Sequence, residues 1–277
     1  MPNLRKFSES NRGDSFRIHR AFNDDKRDER RLSWRIPRAS HGTVNESMIE
    51  RRNSWRYPRE EMNPTKNSDL RKYWLQRFSL FSRFDDGIKL DEESWYSVTP
   101  EFIARKTAER LKTNVIIDGF CGAGGNAIQF AFTCNKVIAI DIDPKKIELA
   151  RNNAAVYGVL HKIEFMVGDF IQLASEIEGD AVFLSPPWGG PSYINEKSYD
   201  LENMLQPVPF SELVEVSKKI SPNIAVFLPR NSNTFDMEKY AGKNGLVKIE
   251  KNFMDKRLVG VTVYFNDIVK KMETTGT

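Results

Sequence analysis

From residue 114 to residue 229, short apolar runs alternate with longer stretches of helical spacing, and that alternation admits few folds. The run NVIID ends in an acid and is followed by the glycine-rich GFCGAGGN. A helix is predicted over 126–134, with further strands in KVIAIDID, IEFMVGDF, DAVFLS and NIAVFLP. SELVEVSKKI has the spacing of a helix. Asp143 is placed to cap a helix opened by Pro144, on which Ile147, Ala150 and Ala154 form one stripe. Strands separated by helices imply a parallel sheet covered on both faces. After it, VKIEKNF and VGVTVYF read as an antiparallel pair turning at Asp255–Lys256.

Upstream of this α/β region, LRKYWLQRFSLFSRF (70–84) is rich in aromatics and reads as a short helix or packed arm. The spacing of Phe78, Phe81 and Phe84 predicts core packing for Phe78 and Phe84. Thr99 is positioned to cap a helix begun by Pro100, with Glu101 in its first turn. Phe102, Ile103 and Leu111 of that helix are expected to face a core, and Lys89 and Arg105 the surface.

The charge is uneven. Residues 1–60 hold 15 Lys/Arg against 9 Asp/Glu, a net +6, and the other 217 residues hold 27 against 29. The first segment has few apolar runs, so it is expected to be disordered, with residues 1–68 forming a basic N-terminal tail. Such a tail suits RNA or another acidic partner, and equally a solubilising role. Residues 69–112 are expected to form a helical arm contributing to the active site, and 113–270 the main domain. Cys121 and Cys134 fit no disulfide or metal pattern, which implies a reducing compartment. With no apolar signal core in MPNLRKFSES and no spanning run of ~20 apolar residues, a soluble intracellular protein without a membrane partner is expected.

In an open α/β sheet, ligands bind at the carboxyl ends of the strands. Asp118, Asp141, Asp143 and Asp169 fall at or near such ends, and Gly122, Gly124 and Gly125 follow the first strand, where glycine lets a ligand approach the backbone. The acid ahead of the glycines would repel a pyrophosphate but suits the amine and positive charge of S-adenosylmethionine. Asp141 lies 23 residues after Asp118, near the ~20-residue interval expected of an acid that takes a ribose hydroxyl pair. Asp169 and Phe170, in VGDF, suit the adenine amine and the adenine face. Strand termination and helix capping are the alternative roles of these acids, and Asp143 is assigned only that.

SPPWGGP (185–191) follows the fourth strand. An exocyclic amine on a planar ring is a weak nucleophile, because its lone pair is delocalised into the ring. The carbonyl of Pro186 and the side-chain oxygen of Ser185 can accept its two N–H bonds and aim that lone pair at a methyl group. Proximity and alignment then supply most of the catalysis. Trp188 can stack on the ring. No general base is required, since the amine becomes acidic once methylated and water takes the proton. His19, His41 and His161 lie outside these motifs, and no metal cluster is visible.

Together, YWLQRFSLFSRFDDGIKLDEESWYSVTPE, DGFCGAGGN, VIAIDIDPKKIELARNNA, IEFMVGDF, FLSPPWGGP and FLPRN resemble the catalytic domain of the trimethylguanosine synthase family, which methylates the exocyclic N2 of 7-methylguanosine RNA caps. The resemblance spans residues 70–267. It implies a class I S-adenosylmethionine-dependent methyltransferase fold, α/β and Rossmann-like, with a mostly parallel seven-stranded sheet and an antiparallel C-terminal pair. It also implies roles. Trp188 would stack on 7-methylguanine while Ser185 and Pro186 orient its amine. Asp118, Asp141, Asp169 and Phe170 would hold S-adenosylmethionine, assisted by Phe81 and Thr99 from the arm. Lys72, Ser97, Asn153, Tyr193 and Arg230 would line the path of the cap phosphates. N7-methylation makes guanine cationic, and a cation over an indole face gains about 2 kcal/mol when desolvated.

The family implies capped RNA of the snRNA or snoRNA type as partner, snRNP or snoRNP proteins as company, a monomer, and nuclear residence extending to the nucleolus, nuclear bodies and cytoplasm. SPPW alone also fits an N6-adenine-type amino methyltransferase acting on RNA, against which the YWLQRFSLFSRF and FLPRN segments argue. A cap-binding protein without catalysis would have no use for Asp118, Asp141 and Ser185.

Overall fold

The structure is a computed structural model that describes residues 70–274, apart from the side chains of Pro191 and Ser192. The expected N-terminal segment 1–68 lies outside the described residues. The arm consists of α1 (Arg71–Trp74), α2 (Arg77–Leu80), a 3-10 turn at Phe84–Asp86, α3 (Ser94–Ser97) and α4 (Glu101–Arg110). Next come β1 (Val115–Asp118), α5 (Gly125–Thr133), β2 (Lys136–Asp141), α6 (Pro144–Tyr157), β3 (Ile163–Val167), α7 (Phe170–Leu173) and β4 (Ala181–Leu184). The chain continues through α8 (Phe210–Lys218), β5 (Ile224–Pro229), α9 (Glu238–Ala241), β6 (Val247–Met254), β7 (Arg257–Phe265) and α10 (Asp267–Thr274).

The seven strands lie in the order β3-β2-β1-β4-β5-β7-β6. The first five are parallel, and β7 runs antiparallel to both β5 and β6. The β6–β7 turn sits at Asp255 (φ 48°) and Lys256 (φ 66°), whose left-handed backbones suit a tight hairpin. The order of the strands reverses between β1 and β4, and a ligand crevice opens at such a switch point. Asp118 pairs with Phe183, so Ser185 emerges two residues further on at the same end of the sheet.

Alternation along the strands splits the core into two layers. Ile116, Phe183 and Phe227 belong to the layer formed with the arm, α5, α6 and α10. Ile117, Val182, Val226 and Leu228 belong to the layer under α8. The stripe of Ile147, Ala150 and Ala154 is buried on α6, and Asp143 caps that helix by accepting from the Lys145 amide at 2.8 Å. The arm is integral to the first layer. Phe81, Phe84 and Trp95 are buried in it, and Trp74 stands edge-on to Phe84 at 5.6 Å. Full burial of each phenylalanine contributes about 1.5–3 kcal/mol.

Three expectations about the arm are corrected. Phe78 is 47 % exposed, because α2 ends at Leu80 and Phe81 is extended, so the helical period is not kept from Phe78 to Phe84. Thr99 does not cap α4. Pro100 takes the N-cap position in an extended conformation, and the Thr99 hydroxyl accepts from Asn126 Nδ2 at 3.0 Å inside the core. Phe102 is 61 % exposed, off the face of α4 that buries Ile103, Ala104, Thr107 and Ala108. The C-terminal α10 reaches Thr274, past residue 270, and buries Ile268, Val269 and Met272.

Candidate active site

At the end of β1 the chain turns through the glycine-rich loop into α5. Gly122 has φ +51°, a conformation that favours glycine, and its N–H donates to Asp141 Oδ2 at 2.8 Å. A Cβ built on Gly122 would meet nothing within 4 Å, so this turn borders open space. The other Asp141 oxygen accepts from the Asp143 amide at 3.0 Å. Asp141 thereby joins the loops after β1 and β2, and each carboxylate oxygen keeps a second lone pair for a ligand. Burial pushes the Asp141 carboxyl above the usual carboxylate range, against the pull of those two amide bonds.

Asp118 is fully buried, and neither of its oxygens has a hydrogen-bond partner. Burial pushes its pKa up to about 8, and the nearby Asp141 adds to the rise. The Phe120 and Ala127 amides favour its charged form but make no hydrogen bond of good geometry with it. An unpaired buried carboxylate is costly, and a cationic ligand group would supply its partner. Asp169 is half-buried and caps α7, its Oδ1 accepting from the Ile171 amide at 2.9 Å. Phe170 departs from its expected role. It points into the core at 1 % exposure, with its ring 5.7 Å from that of Phe120, so no face is presented to an adenine.

The arm closes over this loop. Phe81 is 2 % exposed and reaches 3.9 Å from a Cβ built on Gly125, and Thr99 holds Asn126 at the start of α5. Four residues of α6, Lys146, Asn152, Asn153 and Tyr157, fix the arm in place through polar contacts. Tyr157 donates to Glu101 Oε2 at 2.5 Å, and the same carboxylate accepts from the Ser82 amide and hydroxyl. Lys146 pairs with Asp91 at 2.8 Å, and Asn152 donates to the Gly87 carbonyl at 2.9 Å. Asn153 Oδ1 accepts from Lys89 N at 2.8 Å, while its Nδ2 donates to the carbonyls of Lys89 and Ala123 at 2.9 Å each. Asn153 is therefore withdrawn from the expected phosphate path. It is fully buried, and its amide binds the arm to the glycine loop.

Replacing Asn153 with alanine leaves three backbone groups unpaired, at about 1–3 kcal/mol for each group that stays buried and dry. A domain of this size loses about 2–4 °C of Tm per kcal/mol, so Asn153→Ala should melt at least ~6 °C lower. It should also bind nucleoside ligands more weakly. Calorimetry giving a Tm within 2 °C of the wild-type value would refute the clamp.

Across the crevice, Ser185 Oγ donates to the Phe120 carbonyl at 3.2 Å, which leaves the hydroxyl lone pairs as acceptors. Pro186 is buried and Trp188 half-buried. The indole stands 5.3 Å from the Phe227 ring and edge-on to Tyr193 at 5.4 Å, and its Nε1 has no hydrogen-bond partner. Tyr193 lies in the following 3-10 turn, whose Tyr193 and Glu196 carbonyls both accept from Asn231 Nδ2. Burial raises the Tyr193 hydroxyl pKa. The charges of Arg230 and Arg257 oppose that rise and Tyr73 of the arm adds to it. Arg230 follows Pro229, which pairs with Gly260 three residues after Arg257, so both arginines lie on the rim beyond β5. Lys72 is exposed next to Tyr73, with its ammonium 4.9 Å from that ring's centroid. Ser97 is exposed at the end of α3.

The ends of β1, β2 and β4 thus bring Asp118 and Asp141 to the same end of the sheet as the Ser-Pro-Pro-Trp segment. Residues 113–268 match the model of the RNA cap guanine-N2 methyltransferases. The chain belongs to the RNA cap guanine-N2 methyltransferase family. It is 41 % identical to the trimethylguanosine synthase of Schizosaccharomyces pombe over 207 residues, 71 % of this chain and 86 % of that one. It is 40 % identical to the trimethylguanosine synthase of Saccharomyces cerevisiae over 195 residues, 66 % of this chain and 62 % of that one. A crystal structure from Porphyromonas gingivalis W83 shares the fold alone. Its TM-score is 0.52 at 13 % identity, over 72 % of this chain and 51 % of that one.

Asn126, Tyr157 and Asn231 carried no role in the sequence, and Glu101 only that of a first-turn acid. Asn126, Tyr157, Glu101 and Asn231 act through partners that the fold brings together from up to 56 residues away. Asn231 had the one visible signal, its place in FLPRN directly after Arg230.

Proposed function

We propose that this crevice transfers a methyl group from S-adenosylmethionine to the exocyclic N2 of a 7-methylguanosine RNA cap. The observation that carries this reading is the pairing of the orphaned Asp118 carboxylate with the Ser185–Trp188 face across one switch point. S-adenosylmethionine, when bound, supplies an electrophilic methyl group carried on a sulfonium. Asp118 would hold its cationic portion, the Gly122 turn would accept its bulk, and Asp141 would take the ribose hydroxyls. Asp169 would address the adenine amine through the lone pairs that its helix cap leaves over.

Ser185 and Pro186 would accept the two N2–H bonds of guanine. Because the Ser185 proton is committed to Phe120, its oxygen faces the amine as an acceptor. With the amine so held, the methyl group would pass from the sulfonium to N2, leaving a neutral thioether, and the surplus amine proton would go to water. Trp188 would hold the ring by cation–π attraction, worth about 2 kcal/mol for a desolvated cation. Tyr193, Arg230 and Lys72 would address the cap phosphates from the rim.

The test is methylation of 7-methylguanosine diphosphate beside GDP, read by mass analysis of the nucleotide. The 7-methyl compound should gain mass at N2, and GDP should react at least ~30-fold more slowly, the rate equivalent of about 2 kcal/mol. Equal turnover of the two would rule out the role given to Trp188, and no turnover of either would rule out the function.

A further inference from the structure

Outside the crevice, a cavity of about 450 Å³ lies where α2, the start of α4 and the β6–β7 hairpin meet. Three exposed phenylalanines line it: Phe78, Phe102 and Phe253, at 47 %, 61 % and 50 % exposure. Folding does not account for them, since each leaves about half of an apolar ring in water. Arg105 lines the groove, Arg77 lies outside its lining and pairs with Asp85, and Asp255 of the hairpin turn lines it as well. Arg105 stands 5.6 Å over the Phe102 ring and Arg77 stands 4.2 Å over the Phe78 ring. Glu101, the acid beside Phe102, is already engaged by Ser82 and Tyr157.

We propose that this groove receives the first transcribed nucleotides of the capped RNA. The inference rests on the proposed cap methylation and names where the rest of that substrate runs. The hairpin connects the groove with the cap rim. Met254 lines the groove and pairs across the hairpin with Arg257, three residues before Gly260, which pairs with Pro229 beside Arg230. Met254 and Arg257 are therefore one strand spacing apart, ~5 Å.

The chemistry suits single-stranded nucleic acid. Bases stack on aromatic rings regardless of sequence, and arginines add cation–π contact and charge for the backbone. A nucleotide leaving the phosphate rim would pass Arg257 and meet Phe253 and Phe102 in turn. Stacking on rings is tolerant of sequence, so recognition there follows the physical continuity of the RNA with its cap.

The test compares two substrates on the full chain, 7-methylguanosine diphosphate and a capped single-stranded 10-mer. Phe102→Leu and Phe253→Leu are exposed changes that keep apolar bulk and remove the π face. For the double variant, KM on the 10-mer should rise roughly tenfold, as expected for one lost stacking contact, while KM and kcat on the diphosphate stay at wild-type values. Fluorescence of 2-aminopurine placed at the first transcribed position should be quenched on binding wild type and not on binding the variant. An unchanged KM on the 10-mer overturns the proposal and leaves the groove to a protein partner. Failure of wild type to methylate the diphosphate would instead strike the underlying function.

Discussion

Trp188→Ala should lose at least ~10³-fold in kcat/KM on 7-methylguanosine diphosphate while still folding and still binding S-adenosylmethionine. Two separate effects combine. Stacking on a base contributes about 1–3 kcal/mol, and a cationic base lies at the upper end of that range. Misplacement of a reacting group by about an ångström costs a further factor of ~10². The cofactor side is spared because Trp188 packs against Phe227 and Tyr193, away from the ring of acids at β1 and β2. Trp188→Phe separates the π face from the indole N–H. Nε1 makes no hydrogen bond within the protein, so this change should preserve a much larger share of activity than alanine does. Steady-state kinetics of both variants decide the matter. Alanine activity within a few-fold of wild type would remove Trp188 from the base-binding face.

The parallel core was legible in the sequence because buried strands read as continuous apolar runs, and VIID, VIAI, AVFL and IAVFL became β1, β2, β4 and β5. The positions of Asp118, Asp141 and Ser185 followed from those strands, since each closes or directly follows one. The arm was harder. Its aromatics have helical spacing on paper, but breaks after Trp74 and Leu80 reset the phase, so Phe81 and Phe84 turn inward and Phe78 outward. Thr99 satisfies the local rule for a cap, yet a buried partner on α5 competes for its hydroxyl and wins. Asn153 and Phe170 show a different limit. Residue type and position suited a ligand, but burial decided their roles, and burial depends on Lys89, Ala123 and Phe120, which sequence spacing does not place. Short α10 was readable in hindsight from Ile268, Val269 and Met272 on one face with Asp267 in the first turn.

Binding of S-adenosylmethionine should tighten as pH rises from 6 to about 8, up to tenfold per pH unit, and then level off. The cause is Asp118. Without a ligand its carboxyl is held protonated up to about pH 8 by burial and by Asp141. A cation gains a charged partner only from the ionised form, so below that pH each bound ligand must first displace a proton. Stability of the ligand-free protein moves the opposite way. Between the ordinary carboxylate range and pH 8 the folded chain holds a proton that the unfolded chain has released, so stability falls as pH rises through that window. Asp118→Asn imitates the protonated state without titrating. Ligand-free Asp118→Asn should therefore melt no lower than wild type at pH 8.5, and its affinity for S-adenosylmethionine should be independent of pH. Loss of one member of a buried charge pair costs about 3–5 kcal/mol, so its Kd should rise roughly 10²–10³-fold. Titration calorimetry between pH 6 and 9, with melting curves at the same pH values, measures both signs. Identical pH profiles for wild type and Asp118→Asn would mean that Asp118 is not the partner of the cation. A variant that melts well below wild type at pH 8.5 would mean that the buried carboxylate is satisfied by the protein itself, and the cationic pocket would have to be sought at Asp141.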